Sequence, residues 1–174
     1  MKHLNIEIKA RCSNPKAILS ILKSCKADFK GTDYQIDTYF KVARGRLKLR
    51  EGNIENYLIY YERENKKGPK KSKIILLKTV PNSPLKNILM NALGVLVIVD
   101  KERKIYFIEN VKFHVDTVKD LGTFMEIEAI DKNGNIGKDK LLIQCQKYLK
   151  LFDVKEKDLI EVSYSDLLME KIKK

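Results

Sequence analysis

Residues 112–128 read KFHVDTVKDLGTFMEIE, and their alternation decides the fold. Lys112, His114 and Asp116 fall on one face of an extended segment, with Phe113 and Val115 on the other. After a turn at Gly122, Phe124, Glu126 and Glu128 oppose Met125 and Ile127. A period of two sustained this long predicts two antiparallel strands, each with one apolar and one polar face. Leu4–Ala10 likewise sets Leu4, Ile6 and Ile8 against Asn5, Glu7 and Lys9, and Arg46–Arg50 alternates Arg46, Lys48 and Arg50 with two leucines. Gln35–Phe40, Tyr57–Arg63, Ile74–Val80, Val95–Arg103 and Lys104–Ile108 complete a set of eight or nine strands, a normal number for one sheet or barrel.

Helices punctuate the strands. Asn14-Pro15 predicts a helix start, the asparagine as cap and the proline in the first turn, leading into Ile18, Ile21 and Leu22. Ser83-Pro84 predicts the same ahead of Leu85–Leu93, with Gly94 as the stop. A third helix is expected through Leu141–Leu149 after the Asn133-Gly134 turn, and short ones near Lys157 and over Ser165–Ile172. Glu64–Lys73 (ENKKGPKKSK) reads as a basic loop with a Gly-Pro turn. The expected class is α+β, with antiparallel strands dominant.

The chain has 174 residues, 44% hydrophobic and 33% charged, which suits one folded domain over residues 1–174. Lysine and arginine exceed the acids by 35 to 23, a net +12 that predicts a polyanionic partner: nucleic acid, an anionic membrane or a phosphate-rich small molecule. Cys12, Cys25 and Cys145 form no CxxC pair and read as thiols of a reducing compartment. No apolar signal region follows Met1, and the apolar stretch Ile88–Val99 is too short to span a bilayer. A cytoplasmic location is expected.

The plainest reading of the polar strand faces is the solvated side of an antiparallel sheet. Two features argue otherwise. The charges are blocked by sign, three bases on Arg46–Arg50 and two acids at Glu126 and Glu128, where a surface would mix them. The helices also need the apolar face as their seat. The charged face is therefore expected to curl inward as the lumen of a barrel. Inward charges are costly unless paired or bound to a ligand, and a basic wall facing an acidic wall suits a triphosphate bridged by a divalent cation.

Further motifs run in order along the chain: Gln35-Ile36-Asp37-Thr38-Tyr39-Phe40, Gly45-Arg46 with Lys48 and Arg50, Leu58 to Arg63, Gly68-Pro69-Lys70, Lys101 with Arg103, and Ser163 to Leu168. With Lys112–Glu128 and with Asn5-Ile6-Glu7-Ile8-Lys9 at the position of an ExExK hallmark, the sequence resembles the CYTH superfamily of triphosphate tunnel metalloenzymes, in particular its class IV adenylyl cyclase branch. The resemblance implies a closed eight- or nine-stranded antiparallel β-barrel with a charged tunnel and helices packed outside. It implies Glu7, Glu126 and Glu128 as ligands of Mg²⁺ or Mn²⁺. Lys9, Arg46, Lys48, Arg50, Arg63, Lys70, Lys101, Arg103 and Lys112 become phosphate-binding residues, Lys70 from a mobile loop. Glu7, Lys9, Arg63 and Asp116 become the catalytic set.

The reaction implied is cyclisation of ATP to cyclic AMP and pyrophosphate, or hydrolysis of inorganic tripolyphosphate or thiamine triphosphate. A binding module with weakened turnover is the further alternative, because Asn5 stands where the hallmark has its first glutamate. The expected partner is a nucleoside triphosphate or another organic or inorganic triphosphate, without nucleic acid or membrane, and a homodimer is compatible with the sequence. Carboxylates on the same faces as the bases argue against a nucleic-acid backbone. His114 reads as a structural hydrogen-bonding group, and Tyr39, Tyr57 and Tyr61 as core residues.

Overall fold

The structure, a computed structural model, describes residues 2–63 and 65–174. Eight strands are present: β1 (Lys2–Arg11), β2 (Asp28–Phe40), β3 (Arg46–Glu51), β4 (Tyr57–Arg63), β5 (Lys70–Lys78), β6 (Val95–Ile108), β7 (Val111–Val118) and β8 (Gly122–Asp131). They close into an antiparallel barrel in the order β1-β5-β4-β3-β2-β6-β7-β8, with β8 returning to β1. Four α-helices lie outside: α1 (Pro15–Ser24), α2 (Leu85–Leu93), α3 (Lys138–Leu151) and α4 (Tyr164–Ile172).

The alternation sorts side chains as the sequence indicated. Ile6, Ile8 and Ala10 of β1, Val111, Phe113 and Val115 of β7, and Met125, Ile127 and Ala129 of β8 point outward. They pack beneath Ile18 and Leu22 of α1 and Leu141, Cys145 and Tyr148 of α3. Burial of this layer is the main term holding helices to barrel, at about 25 cal/mol per Å² of apolar surface. Asn14 caps α1, its Oδ1 accepting from the Ala17 amide at 3.2 Å. A second cluster lies at one end of the bore, where Val97, Val99, Tyr39, Tyr61 and Phe124 meet Tyr164 and the inner side of α4. Helix α4 starts on a capping box between Ser163 and Asp166.

Four expectations need correction. Val95–Arg103 and Lys104–Ile108 are one 14-residue strand, β6, because both halves pair with the long β2; eight strands therefore make the barrel. The expected basic loop ends early, its last four residues being strand: Lys70–Lys73 pairs with β1 on one side, and Ser72 and Lys73 with β4 on the other, a tertiary override of loop-like composition. Glu64 of that loop lies outside the described residues. Lys70 is accordingly not on a mobile loop but fully buried at the start of β5. Pro84, not Ser83, occupies the cap position of α2, with no side-chain cap bond. Among the described residues, no helix is long and apolar enough to cross a membrane.

Candidate functional site

The polar strand faces meet inside the barrel around a cavity of about 280 Å³. Among the described residues, eight lysines and arginines line it against five aspartates and glutamates, an excess that favours an anion. Of the sequence-predicted residues, Glu7, Lys9, Lys48, Arg50, Arg63, Lys101, Arg103, Lys112, Glu126 and Glu128 come together on this lining. Arg46, Lys70 and Asp116 do not. Arg46 turns toward α4, bonded to Asp166 at 2.9 Å. Lys70 Nζ donates to the Ile160 carbonyl at 2.5 Å, and burial, with Arg63 adding, lowers its pKa to about 8. Asp116 holds Arg103 through two bonds of 2.7 and 2.5 Å and accepts from the Tyr164 hydroxyl at 2.7 Å. These partners place Asp116 behind the lining as a positioning group for Arg103.

Two carboxylates organise the bases. Asp37, on β2, accepts from Lys48 at 2.9 Å, from Arg50 through two bonds of 2.8 and 2.9 Å, and from Lys101 at 2.7 Å. Burial opposes its ionisation, but Arg50, Lys101 and Lys48 outweigh it and hold the carboxyl well below its usual range. Glu126, on β8, takes Lys9 at 3.0 Å, Arg103 at 3.0 Å and His114 Nδ1 at 2.9 Å. Burial, with Arg103 adding, pushes His114 down to about 4, so the imidazole is neutral near pH 7 and its Nδ1–H donates a hydrogen bond to the Glu126 carboxylate. Its Nε2 is buried without a protein partner. The structure thus gives His114 the hydrogen-bonding role expected, but on the cavity wall.

The remaining carboxylates are less satisfied. Glu7 accepts from Arg63 Nη1, leaving Arg63 Nε and Nη2 buried without partners. Glu128 accepts from the Asn5 amide; burial first, then the charges of Glu7, Glu126 and Glu55, raise it to about 7 against the pull of Lys112. Asn5 Oδ1 is buried and unpartnered. In this arrangement no group of three or more His, Cys, Asp or Glu side chains among the described residues is placed to hold a metal ion, because Glu7 and Glu126 are turned to cations of the chain.

Sequence reasoning missed the roles of Asp37, Glu55 and Tyr164. Parity places Asp37 on the Gln35 face, but its importance depends on which strands stand opposite. Glu55 lies in a loop where alternation says nothing. Tyr164 comes from α4, and its ring lies 3.7 Å beneath Lys9 Nζ. Tyr39, Tyr57 and Tyr61, expected as core residues, line the cavity, and Tyr39 and Tyr61 also belong to the apolar cluster at its α4 end.

Comparison with known proteins agrees with this architecture. A family model described as CYTH domain matches residues 3–164. The chain is 27% identical to the "Putative adenylate cyclase" of Methanocaldococcus jannaschii, over 94% of this chain and 98% of that one. It is similar to the solved PH1012 protein from Pyrococcus horikoshii, with a TM-score of 0.75 and 25% identity over 94% of this chain and 98% of that one. It also shares its fold with an adenylyl cyclase-like protein from Hippeastrum described as having dominant triphosphatase activity, with a TM-score of 0.61 and 16% identity, over 98% of this chain and 96% of that one.

Proposed function

The chain belongs to the CYTH domain family, and on that premise we propose that its tunnel binds and turns over a triphosphate with the help of a divalent cation, as a class IV adenylyl cyclase-like enzyme. The observation that carries this reading is Arg63: a buried guanidinium on the cavity wall, with Nε and Nη2 lacking partners. Unpaired buried donors on a charged group are costly, and phosphate oxygens are their natural acceptors. The relative from Methanocaldococcus jannaschii supports the choice of cyclase by its name.

A cation fits the chemistry of the acidic side. Glu128 is repelled by its neighbours, and Asn5 offers an unused oxygen; both are relieved by a hard cation. Glu128 would hold it with Glu7 and Glu126 once these two turn from Arg63 and from Lys9 and Arg103, and Asn5 would add a neutral oxygen. When bound, Mg²⁺ or Mn²⁺ supplies charge neutralisation of the phosphates.

The chain's own part is positioning and electrostatic stabilisation. Arg63, Lys9 and Arg103 bind phosphate oxygens from the Glu7–Glu126 side, Lys112 from β7 beside Glu128, and Lys48, Arg50 and Lys101 from the cluster around Asp37. In cyclisation the ribose 3′ oxygen bonds to the α-phosphorus, the bond to the bridging oxygen of the β-phosphate breaks, and pyrophosphate and the hydroxyl proton leave. Glu7 must release Arg63 as phosphate arrives, so the guanidinium serves as a switchable partner. Tyr57, Leu76, Phe107 and Ile130 make one mouth apolar, which favours an organic triphosphate over an inorganic one.

Phosphorus NMR of the protein with ATP and Mg²⁺, then Mn²⁺, then tripolyphosphate tests the reading. Pyrophosphate with a cyclic phosphodiester signal from ATP is the expected result. Orthophosphate from tripolyphosphate with ATP intact would make the protein a triphosphatase. Shifted triphosphate signals without product would make it a binding module, and unchanged spectra would remove the triphosphate from the tunnel.

A further inference from the structure

The cavity has two unlike ends. Helix α4 closes one, with Tyr164 packed on Phe124 at 4.9 Å between ring centroids. At the other, Glu55 on the β3–β4 loop crosses the bore. Its Oε2 accepts from Arg50 of β3 at 3.0 Å and from Gln35 at 3.1 Å, and its Oε1 accepts from Lys112 of β7. Strands β2 and β6 separate β3 from β7 in the barrel, so one side chain ties two walls that are not neighbours.

The loop is built to keep the carboxylate there. Buried Asp33 accepts from the amides of Ile54 and Glu55, each at 2.9 Å, and from Gln35 Nε2 at 2.7 Å. It also lies so close that a Cβ on Gly52 would come within 2.4 Å of its Oδ1. Asn56 bonds both the amide and the carbonyl of Gly52. A chain segment serving as a mere connection needs no such support.

We propose that Glu55 ends the anion track and selects against phosphate chains longer than a triphosphate, an inference that rests on the triphosphate reading above. Between the two ends, the Lys9–Glu126 and Lys112–Glu128 rows are paired two residues apart along β8, roughly 7 Å. A chain reaching past the second row meets a carboxylate fixed in place by Arg50, Gln35 and Lys112. Beyond it the lining turns to Tyr57, Leu76 and Phe107, with Lys132 exposed at the rim. Like charges repel strongly in a bore poorly screened by solvent. An uncharged organic group at the same place meets apolar wall and no repulsion. Selectivity of this kind comes from a built-in penalty against the wrong ligand.

Calorimetric titration with tripolyphosphate and tetrapolyphosphate, in Mg²⁺, tests it on wild type, Glu55→Gln and Glu55→Asp. Wild type is expected to prefer the shorter chain at least about tenfold. Glu55→Gln keeps the shape and loses the charge, and is expected to bring the two within about threefold, mainly by tighter tetrapolyphosphate binding. Glu55→Asp keeps the charge and is expected to keep the preference. An unchanged ratio in Glu55→Gln, or lost preference in Glu55→Asp, would overturn the role of Glu55 while leaving triphosphate binding intact. If wild type binds neither chain, the triphosphate reading falls, and this inference with it.

Discussion

Asn5 donates its side-chain amide to Oε1 of Glu128 on the neighbouring strand, while its own Oδ1 is buried without a partner. The bond gives one charge-neutral contact to a carboxylate already pushed up to about 7 by burial and acidic neighbours. Asn5→Glu would replace it with a second anion. Without cation the variant is expected to lose about 1 kcal/mol, or 2–4 °C in midpoint for a chain of this size. With Mg²⁺ or Mn²⁺ its midpoint should rise by more than that of wild type, and metal-dependent turnover should increase. Thermal unfolding with and without metal is the check; equal metal shifts in both proteins would place the cation elsewhere.

Asp37 neutralises three bases with one carboxylate, so the cluster keeps net positive charge. Asp37→Asn leaves Lys48, Arg50 and Lys101 without their common acceptor. Breaking a buried ion pair in this way costs about 3–5 kcal/mol. Tripolyphosphate should restore part of that loss by supplying anionic oxygens to the same cations. Melting curves across a tripolyphosphate titration should show a larger ligand-induced shift in the variant than in wild type. A smaller shift would mean that Asp37 helps build the anion site instead of competing with it.

The barrel was legible because alternation survives in every long strand, and the charged lumen because blocks of like sign do not suit a surface. Parity tells which face a residue takes, but not how far along the bore it sits or what stands across from it. Arg46, Asp116 and Glu126 share a lumen-facing parity, yet Arg46 and Asp116 are drawn to α4 and Tyr164 at the closed end while Glu126 lines the cavity. The loop carrying Glu55 has no period, and its placement depends on Asp33, some 20 residues away. The run around Lys70 looked like a loop because its lysines carry no apolar alternation; pairing with β1 and β4 makes it strand all the same.

Lys70 gives the pH prediction. Its folded pKa of about 8 lies below the ordinary lysine value of 10.5, with burial the main cause. Below pH 8 the amine is charged in both states and the penalty is fully present. Between pH 8 and 10.5 the unfolded chain holds more protons, so stability from this group rises with pH, by at most about 3 kcal/mol. Lys70→Met keeps the stem and removes the titration. Urea unfolding at pH 7.5, 9 and 10 should show wild type gaining on the variant as pH rises. A difference independent of pH would mean that the amine keeps an ordinary pKa in the fold.

Tyr164 separates two functions of the closed end. Its hydroxyl bonds Asp116, which in turn holds Arg103, while its ring supports Lys9 and packs on Phe124. Tyr164→Phe removes the first and keeps the second. A hydrogen bond to a charged group is worth about 1.5–3 kcal/mol, so stability should fall by that order, with triphosphate affinity nearly unchanged because Asp116 still grips Arg103 through both oxygens. Tyr164→Ala also removes the ring, at about 3–5 kcal/mol for a large buried aromatic, and opens the wall behind Lys9. Its triphosphate affinity should fall about tenfold or more, since Lys9 loses the surface that directs it and water enters to screen it. Paired urea unfolding and calorimetric titration of both variants read the two effects separately. If Tyr164→Phe lost affinity as severely as Tyr164→Ala, the hydroxyl bond to Asp116 would be the element that holds Arg103 on the phosphate, and the ring would be packing alone.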